Sequence, residues 1–293
     1  MIDPARLTLI VNTADDLWWH GLYVSPDLDT VMYWLAGIAD EQRGWGIRGD
    51  TFAMHESLQR LTHESWFRVG DRDLATHVIR TARLRQGASL HEVTDELARR
   101  YRVKARLLPM SDDPVATRLR TDRGDSHFQE YFVRDGFQPE VHEIYWTGLD
   151  DAVPAPGVAE AVTGAAAVLI APSNPIISIG PILKVRGLRQ LLQNARSKTV
   201  AISPLIGGAA VKGPTVPLMR AAGLEPTPAA VAAQYRDIAA GFVLDQVDAD
   251  YAPAIEALGY RVAATDTLLD DPVVAQGVAE RALGLAQEVG AAA

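Results

Sequence analysis

The 293-residue sequence contains no cysteine, which excludes disulfide bonds, thiolate metal sites, iron–sulfur clusters and cysteine nucleophiles. Long hydrophobic runs are also missing: the longest, such as residues 164–171, extend over about eight residues, whereas a helix that spans a bilayer needs roughly 20. Residues 1–4 carry neither the basic region nor the apolar stretch of an export signal. We therefore expect a cytoplasmic protein without a membrane partner.

Positive charge is scarce, because 28 lysines and arginines stand against 37 aspartates and glutamates, which gives a net charge of −9. A protein that binds nucleic acid by neutralising phosphates needs a basic face, so we expect no nucleic-acid partner. Two catalytic patterns are missing as well. The 7 histidines form no H-E-x-x-H pair and no G-x-S-x-G segment occurs, which disfavours a zinc enzyme and a serine hydrolase.

Short apolar runs that end in polar or Gly/Pro-rich turns recur along the chain. They lie at residues 7–11, 167–171, 199–202, 241–244 and 261–264. Uninterrupted runs of this length are typical of strands that are buried on both faces of a parallel sheet. Segments with helical composition lie at 187–198, 227–239 and 272–289. This alternation predicts an α/β fold with a Rossmann-like open, mostly parallel sheet flanked by helices.

Residues from about 30 to 105 show helical apolar spacing instead, for example over 30–39 and 74–85. No internal repeat and no low-complexity linker interrupts the sequence. We therefore predict a single α/β domain over residues 1–293, with a largely helical insertion at about 30–105.

A ligand site is expected at the turns after the predicted strands, because ligands of open α/β sheets bind beyond the carboxyl ends of the strands. The polar turns are Asn12–Asp16, Pro172–Pro175 and Ser203–Gly208. Serine, asparagine, aspartate and proline also form turns for local reasons, but repeated turns of this chemistry favour a site.

An acidic cluster begins at the first of these turns, with aspartates at 15, 16, 27 and 29. Carboxylates at this density repel one another unless they are solvated or a cation is bound. Mg²⁺ takes oxygen ligands and bridges to substrate phosphates, so it suits such a cluster. Alternatively, Asp27 or Asp29 caps the helix that follows, since aspartate is a frequent N-cap residue.

Gly44–Gly49 matches the G-x-G-x-x-G pattern of dinucleotide-binding proteins, which raises an NAD-dependent oxidoreductase as an alternative. That pattern requires a strand before it and a helix that opens inside it. The residues before Gly44 have helical composition instead, and this disfavours the alternative.

Arginines at 68, 72 and 80 lie within the predicted helical insertion. A guanidinium suits phosphate and planar ligands, although salt-bridged surface arginines are the commoner finding. His77 lies in a predicted helix, where a hydrogen-bonded structural role is favoured over a general base.

Six motifs occur in order along the chain. They are Asn12–Asp16, Ser25–Thr30, Gly70–His77, Leu108–Asp113, Pro172–Pro175 with Ser178–Pro181, and Ser203–Gly208. In this order and spacing they resemble the 2-phospho-L-lactate transferase family of coenzyme F420 biosynthesis, which includes phosphoenolpyruvate transferases, over nearly the whole chain. Family members open with a strand and a G-G-x-G-G loop before the segment that corresponds to Leu7. This sequence shows no such loop, so we expect the active enzyme to need a longer amino-terminal segment.

The resemblance implies a Mg²⁺-dependent transferase. It would move a phospho-three-carbon-acid group, 2-phospho-L-lactate or phosphoenolpyruvate, from its guanosine-diphosphate-activated form to the deazaflavin Fo (7,8-didemethyl-8-hydroxy-5-deazariboflavin). The products would be coenzyme F420-0 or its dehydro form and GMP, and the enzyme would be a homodimer. The alternative from another functional class is a non-catalytic protein that binds the deazaflavin or the nucleotide.

The resemblance also implies roles for the acidic cluster. Asp15 and Asp27 would bind Mg²⁺. Asp15, Asp27 and Asp29 would orient the reacting hydroxyl, and one of them would accept its proton. Asp29 and Arg68 would contact Fo.

Two further groups complete the expected site. Ser173, Asn174 and Pro175 would hold the guanosine diphosphate portion. Trp18 or Trp45 would stack on the deazaflavin, although an aromatic side chain more often belongs to a core.

Overall fold

Strands form at the short apolar runs of the sequence. The computed structural model describes residues 2–211 and 213–291. The chain divides into two compact units, one of Met1–Glu140 with Tyr145–Val158 and one of Val141–Ile144 with Ala159–Ala293. Whether the whole chain is one domain with an inserted helical segment stays a prediction.

The first unit combines short strands with helices. Its strands are β1 (Thr8–Val11), β2 (Leu17–Trp19), β3 (Leu22–Val24), β4 (Arg106–Pro109), β5 (Ala116–Thr121) and β6 (Gly124–His127), followed by β7 (Val141–Thr147), which includes residues of both units. β1 and β4 pair in parallel, whereas β2 pairs with β3 and β5 with β6 in antiparallel hairpins. The polar segment after β1 therefore lies at the carboxyl end of a parallel pair.

Helices fill the sequence between β3 and β4. They are α1 (Pro26–Leu35), α2 (Ala53–Leu61), α3 (Asp73–Arg85) and α4 (Leu90–Arg100). Leu28 and Met32 of α1 pack with Leu97 of α4 and Leu107 of β4 in a buried apolar cluster. This cluster holds α1, and with it the acidic residues of its first turn, against the β1–β4 pair.

The second unit contains a parallel sheet. Its strands are β8 (Val168–Ile170), β9 (Thr199–Ile202), β10 (Leu205–Ile206), β11 (Ala209–Ala210), β12 (Gly241–Asp245) and β13 (Arg261–Thr265). Among the described residues, β8, β9, β12 and β13 are parallel neighbours in the order β13-β12-β9-β8. The turns after β8 and β9 therefore share one edge of the sheet, as the sequence predicts for 172–175 and 203–208.

Helices connect and cover this sheet. They are α5 (Val158–Gly164), α6 (Ile179–Lys184), α7 (Leu188–Asn194), α8 (Thr215–Ala221), α9 (Pro228–Tyr235), α10 (Ala252–Glu256) and α11 (Pro272–Ala291). Thr227 caps α9 by accepting a hydrogen bond from the Ala230 N–H, with Pro228 in the first turn, as its sequence predicts. Leu285 of α11 packs with Val200 and Val243 of the sheet. The predicted α/β fold with a parallel sheet flanked by helices is confirmed.

Gly44–Gly49 lies in the connection between α1 and α2, so the strand that a dinucleotide fingerprint requires before it is replaced by a helix. Gly44, Gly46 and Gly49 have φ values of 78°, 70° and 67°, which glycine adopts without strain. These glycines serve the turns of a loop. In the described part of the chain, no helix is long and apolar enough to cross a membrane.

We expect Gly241→Ala to destabilise the second unit. A Cβ atom at Gly241 would lie 2.8 Å from Val200 Cγ2 and 3.0 Å from Leu285 Cδ2, in a core that has no space for it. Overpacking of this kind costs about 1–3 kcal/mol in the free energy of unfolding. Urea unfolding measures the loss.

Gly277→Ala in α11 is the matched control. Its Cβ would meet nothing within 4 Å, and alanine is a better helix former by roughly 0.8–1 kcal/mol. The control should therefore equal or exceed the wild type in stability. Equal effects of the two substitutions would contradict the close packing at Gly241.

Candidate functional site

Asn12 links the loop after β1 to the start of α1. Its Oδ1 accepts a hydrogen bond from the Ala14 N–H at 3.0 Å, and its Nδ2 donates to Asp27 Oδ2 at 3.1 Å. Thr117 and Asn12 also lie beside Asp15, where both oppose the rise in its pKa that burial causes. The structure thus places Asp15 and Asp27, the two predicted metal ligands, next to the side chain of Asn12.

The charges of Asp15 and Asp27 are poorly compensated. Burial raises the pKa of Asp15, and the neighbouring charge of Asp27 raises it further. Burial also raises the pKa of Asp27, against the hydrogen bond from Asn12. Asp15 Oδ1 is buried and has no hydrogen-bond partner among the described residues. Two such carboxylates either retain a proton or share a cation.

A divalent cation fits this pair. Mg²⁺ prefers oxygen ligands, usually keeps several waters, and needs only one or two carboxylates when a substrate phosphate completes its coordination. The unpartnered oxygen of Asp15 and the half-buried carboxylate of Asp27 provide such ligands. These residues would hold the ion.

Asp16 is a member of the site to which the sequence assigns no role. The Ser25 hydroxyl donates to Asp16 Oδ2 at 2.7 Å, while Asp16 Oδ1 is buried without a hydrogen-bond partner in the part of the chain that is described. Burial raises the pKa of Asp16, and the Ser25 hydrogen bond and the charge of Arg80 oppose that rise. Asp16 therefore adds negative charge next to Asp15.

Asp29 has a different environment from Asp15 and Asp27. Arg80 NH1 donates to Asp29 Oδ2 at 2.9 Å, and Arg80 NH2 donates to Asp29 Oδ1. Both residues are buried, with Arg80 1% and Asp29 4% exposed. Burial alone would lower the pKa of Arg80, but the charge of Asp29 holds it above its ordinary value. Asp29 thus has a cation of the protein as its partner.

A second layer of polar residues supports this ion pair. His77 Nδ1 lies 3.5 Å from Asp29 Oδ2, and His77 Nε2 lies 3.4 Å from Asp73 Oδ1. The Tyr33 hydroxyl donates to Asp73 Oδ1 at 2.7 Å. Burial opposes ionisation of Asp73, but hydrogen bonding and the charge of His77 lower its pKa.

Asp29, Asp73 and His77 are, among the described residues, the group whose potential metal-ligand atoms lie within 4.8 Å of one another. The guanidinium of Arg80 already donates to both oxygens of Asp29. The negative charge of this group is therefore neutralised from within the protein, and a metal is better placed at Asp15 and Asp27.

Arg68 belongs to an aromatic group on the first unit. Its guanidinium carbon lies 3.8 Å from the centre of the Phe52 ring, and the Phe52 ring meets Trp45 edge-on at 6.3 Å. Among the contacts described, none joins Arg68 to Asp29, so the two predicted Fo ligands are not brought together by direct contact. Trp18, the other aromatic candidate, is exposed beside Tyr23 and Arg85.

Asn174 shapes the turn after β8 in the second unit. Its Oδ1 accepts hydrogen bonds from the N–H groups of Ile176 and Ile177 at 2.9 and 3.3 Å, which fixes the side chain. Its Nδ2 is buried and lacks a hydrogen-bond partner among the residues described. A fixed, unused amide donor at the carboxyl edge of a parallel sheet is suited to an oxygen of a ligand.

Comparison with known proteins places the chain among transferases. Residues 3–268 match the family model described as 2-phospho-L-lactate transferase CofD. A 2-phospho-L-lactate transferase from Methanosarcina mazei is 43% identical over 280 residues, which cover 96% of this chain and 92% of that protein. A phosphoenolpyruvate transferase from Streptomyces griseus is 42% identical over 291 residues, which cover 97% and 92%.

A similar fold occurs in a solved structure. The crystal structure of a UPF0052 family member from Bacillus halodurans superposes with a TM-score of 0.59 at 17% identity. The match covers 94% of this chain and 90% of that one. At this identity the likeness establishes the fold alone.

We expect Asp15→Asn to be more stable than the wild type at pH 8 without divalent cations. Because the folded state raises the pKa of Asp15, its contribution to stability is present below the unfolded pKa of 3.8 and is lost as the pH rises through the folded pKa. The amide mimics the protonated acid at every pH. The stability advantage of the variant should therefore grow with pH, by at most about 1.4 kcal/mol per pH unit.

Urea unfolding between about pH 5 and pH 8 measures this difference. Burial lowers the pKa of His55 and His127, which gives the opposite trend, but that trend cancels between variant and wild type. Asp95→Asn, at an exposed aspartate of α4, is the control and should differ from the wild type by a constant amount. A constant difference for Asp15→Asn would contradict its raised pKa.

Proposed function

Because the chain belongs to the 2-phospho-L-lactate transferase CofD family, we propose that it transfers a phospho-three-carbon-acid group from its guanosine-diphosphate-activated form to the deazaflavin Fo and releases GMP. As a member of this family, the chain is a transferase of coenzyme F420 biosynthesis, and its relatives are 2-phospho-L-lactate transferases and phosphoenolpyruvate transferases. The observation that carries the proposal is the Asp15–Asn12–Asp27 arrangement, with its unpartnered carboxylate oxygen, in a chain of this family.

The reaction is an in-line displacement at phosphorus. The terminal ribityl hydroxyl of Fo forms the new bond to the phosphorus nearer the acid, the bond from that phosphorus to the GMP oxygen breaks, and the hydroxyl proton is released. Catalysis of such transfers consists mainly of positioning and charge neutralisation. When bound, Mg²⁺ supplies neutralisation of the phosphate charge, and Asp15 and Asp27 would hold it.

The acidic residues would orient the attacking hydroxyl and accept its proton. Asp29 is paired with Arg80, and its remaining lone pairs would accept a hydrogen bond from the Fo hydroxyl and orient it. The released proton passes to the acidic set of Asp15, Asp27 and Asp29.

The two substrates would use the other predicted residues. Arg68 would contact Fo from its position on the Phe52 ring, next to Trp45 as a stacking partner. Ser173, Asn174 and Pro175 would hold the guanosine diphosphate portion, with Asn174 Nδ2 as a donor to it. We expect the enzyme to act in the cytoplasm.

We expect Mg²⁺-dependent formation of GMP and of a product with the mass of F420-0 or its dehydro form. Asp27→Asn should lower kcat at least about 100-fold, because removal of a metal ligand costs no less than removal of an outer-shell partner. Asn174→Ala should mainly raise the KM for the activated acid. Mass spectrometry of the products, with each activated acid in turn, also identifies the preferred acid.

Asp95→Asn is the control for Asp27→Asn and should retain wild-type kcat, since it changes an exposed surface aspartate. Titration of Fo fluorescence runs beside the assay. Saturable binding of Fo without GMP release under any condition would select the alternative of a non-catalytic deazaflavin-binding protein. Binding of neither Fo nor guanosine diphosphate would reject both functions.

The exposed face of α3 supports the proposed homodimer. This face consists of Ala75, Val78, Ile79 and Ala82, and Val78 and Ile79 are 46% and 42% exposed. The spacing of these residues makes a continuous apolar stripe on a helix. Apolar stripes turned to solvent mark interaction surfaces, and a two-fold axis would set the stripe of α3 against its own copy.

We expect Ile79→Arg to convert the dimer to a monomer, because each copy would place an unpaired charge in the contact. Light scattering after size-exclusion chromatography measures the mass, and circular dichroism checks the fold. Leu61→Arg, at an 84% exposed position that ends α2, is the control and should remain a dimer. A wild type that is monomeric at micromolar concentration would contradict the proposed contact.

A further inference from the structure

The ion pair of Arg80 and Asp29 carries an inference beyond the proposed reaction. We propose that Arg80 is a positioning residue: it holds the Asp29 carboxylate in a fixed orientation, so that Asp29 can accept a hydrogen bond from the attacking hydroxyl. This inference rests on the proposed function. In this proposal Arg80 compensates the charge of Asp29, whereas a metal would compensate the charges of Asp15 and Asp27.

The geometry of the pair supports this role. Two N–H groups of one guanidinium donate to the two oxygens of one carboxylate, which fixes the carboxylate plane as well as its distance. The side chains of Arg80 and Asp29 are 1% and 5% exposed, so water does not compete for these hydrogen bonds. Lysine could supply the charge but not the planar pair of donors.

The arginine itself is held by its own helix. His77, one turn earlier on α3, lies 3.4 Å from Arg80 NH1 through its Nδ1. His77 also faces Asp73, which the Tyr33 hydroxyl of α1 fixes at 2.7 Å. The hydroxyl of Thr76 continues the network to the Tyr101 hydroxyl at 2.8 Å. His77 Nδ1, which also lies 3.5 Å from Asp29 Oδ2, therefore limits the freedom of the guanidinium next to the carboxylate.

Arg80 also distinguishes two kinds of carboxylate within the acidic cluster. The charge of Arg80 opposes the rise in the pKa of Asp16 that burial causes. The charge of Asp29 in turn raises the pKa of Arg80. Asp29 therefore has no need of a metal, although Asp29, Asp73 and His77 have metal-ligand spacing. The guanidinium takes the place of a cation in that group and leaves the metal to Asp15 and Asp27.

The first test is the kinetics of Arg80→Lys. We expect kcat to fall about 100-fold, since misplacement of a reacting group by roughly 1 Å has this effect. The dissociation constant of guanosine diphosphate should stay at the wild-type value. Arg83→Lys is the matched control on the same helix, because Arg83 is 43% exposed and pairs with Glu96; it should retain wild-type kcat.

A double-mutant cycle with Asp29→Asn separates positioning from a merely structural role. If Arg80 acts through Asp29, Arg80→Lys should cause no further loss of kcat in the Asp29→Asn background. The neutral pair of Arg80→Gln with Asp29→Asn leaves neither charge of this ion pair buried alone, so it remains a folded test if Arg80→Lys alone is unstable. Low-millimolar guanidinium should partly restore kcat to Arg80→Ala, because the free ion can donate to Asp29 in place of the missing side chain.

The outcomes discriminate between this inference and the proposed function. Wild-type kcat in folded Arg80→Lys, or additive losses in the cycle, would overturn the role of Arg80 while the transferase function stands. A wild type that forms no GMP even when the longer amino-terminal segment is supplied would overturn the proposed function and the inference together. Loss of kcat in Arg80→Lys with no further loss in the double variant supports both.

Discussion

The buried pair of Arg80 and Asp29 is the constraint on which the site of the first unit depends. Two charges removed from water are tolerated when they are paired and hydrogen-bonded to each other, and here the bidentate contact provides that pairing. Asp29 lies in the first turn of α1 and Arg80 in α3, so the pair fixes the register of the two helices. Asp27 and the Asn12 that binds it lie on the same rigid frame.

Carboxylates close in sequence thus have opposite electrostatic roles. Asp29 is neutralised by the protein, whereas Asp15 and Asp27 share Asn12 and keep excess negative charge. Under the proposed function, this difference would let Asp29 orient the hydroxyl while Asp15 and Asp27 bind the cation. If every aspartate of the cluster had a cationic partner in the protein, no negative charge would remain to attract a metal. If none had such a partner, the carboxylates would repel one another.

The fold was largely predictable from the sequence, and the site only in part. Apolar runs followed by turns locate the strands of the second unit, and Thr227 with Pro228 locates the start of α9, because these signals are local. The partner of Arg80 was not predictable, since Asp29 is 51 positions away and nothing local connects them. Apolar spacing finds α3 correctly, but it does not tell which face of that helix is buried.

α3 buries its polar face and exposes its apolar one, and this has a consequence for folding. Hydrophobic collapse favours the opposite orientation, with Val78 and Ile79 inside and Arg80 in water. The local pattern and the native packing therefore disagree, which is the definition of a frustrated segment. The native orientation of α3 is therefore held by the hydrogen bonds of Arg80 to Asp29 and not by the burial of its most apolar face.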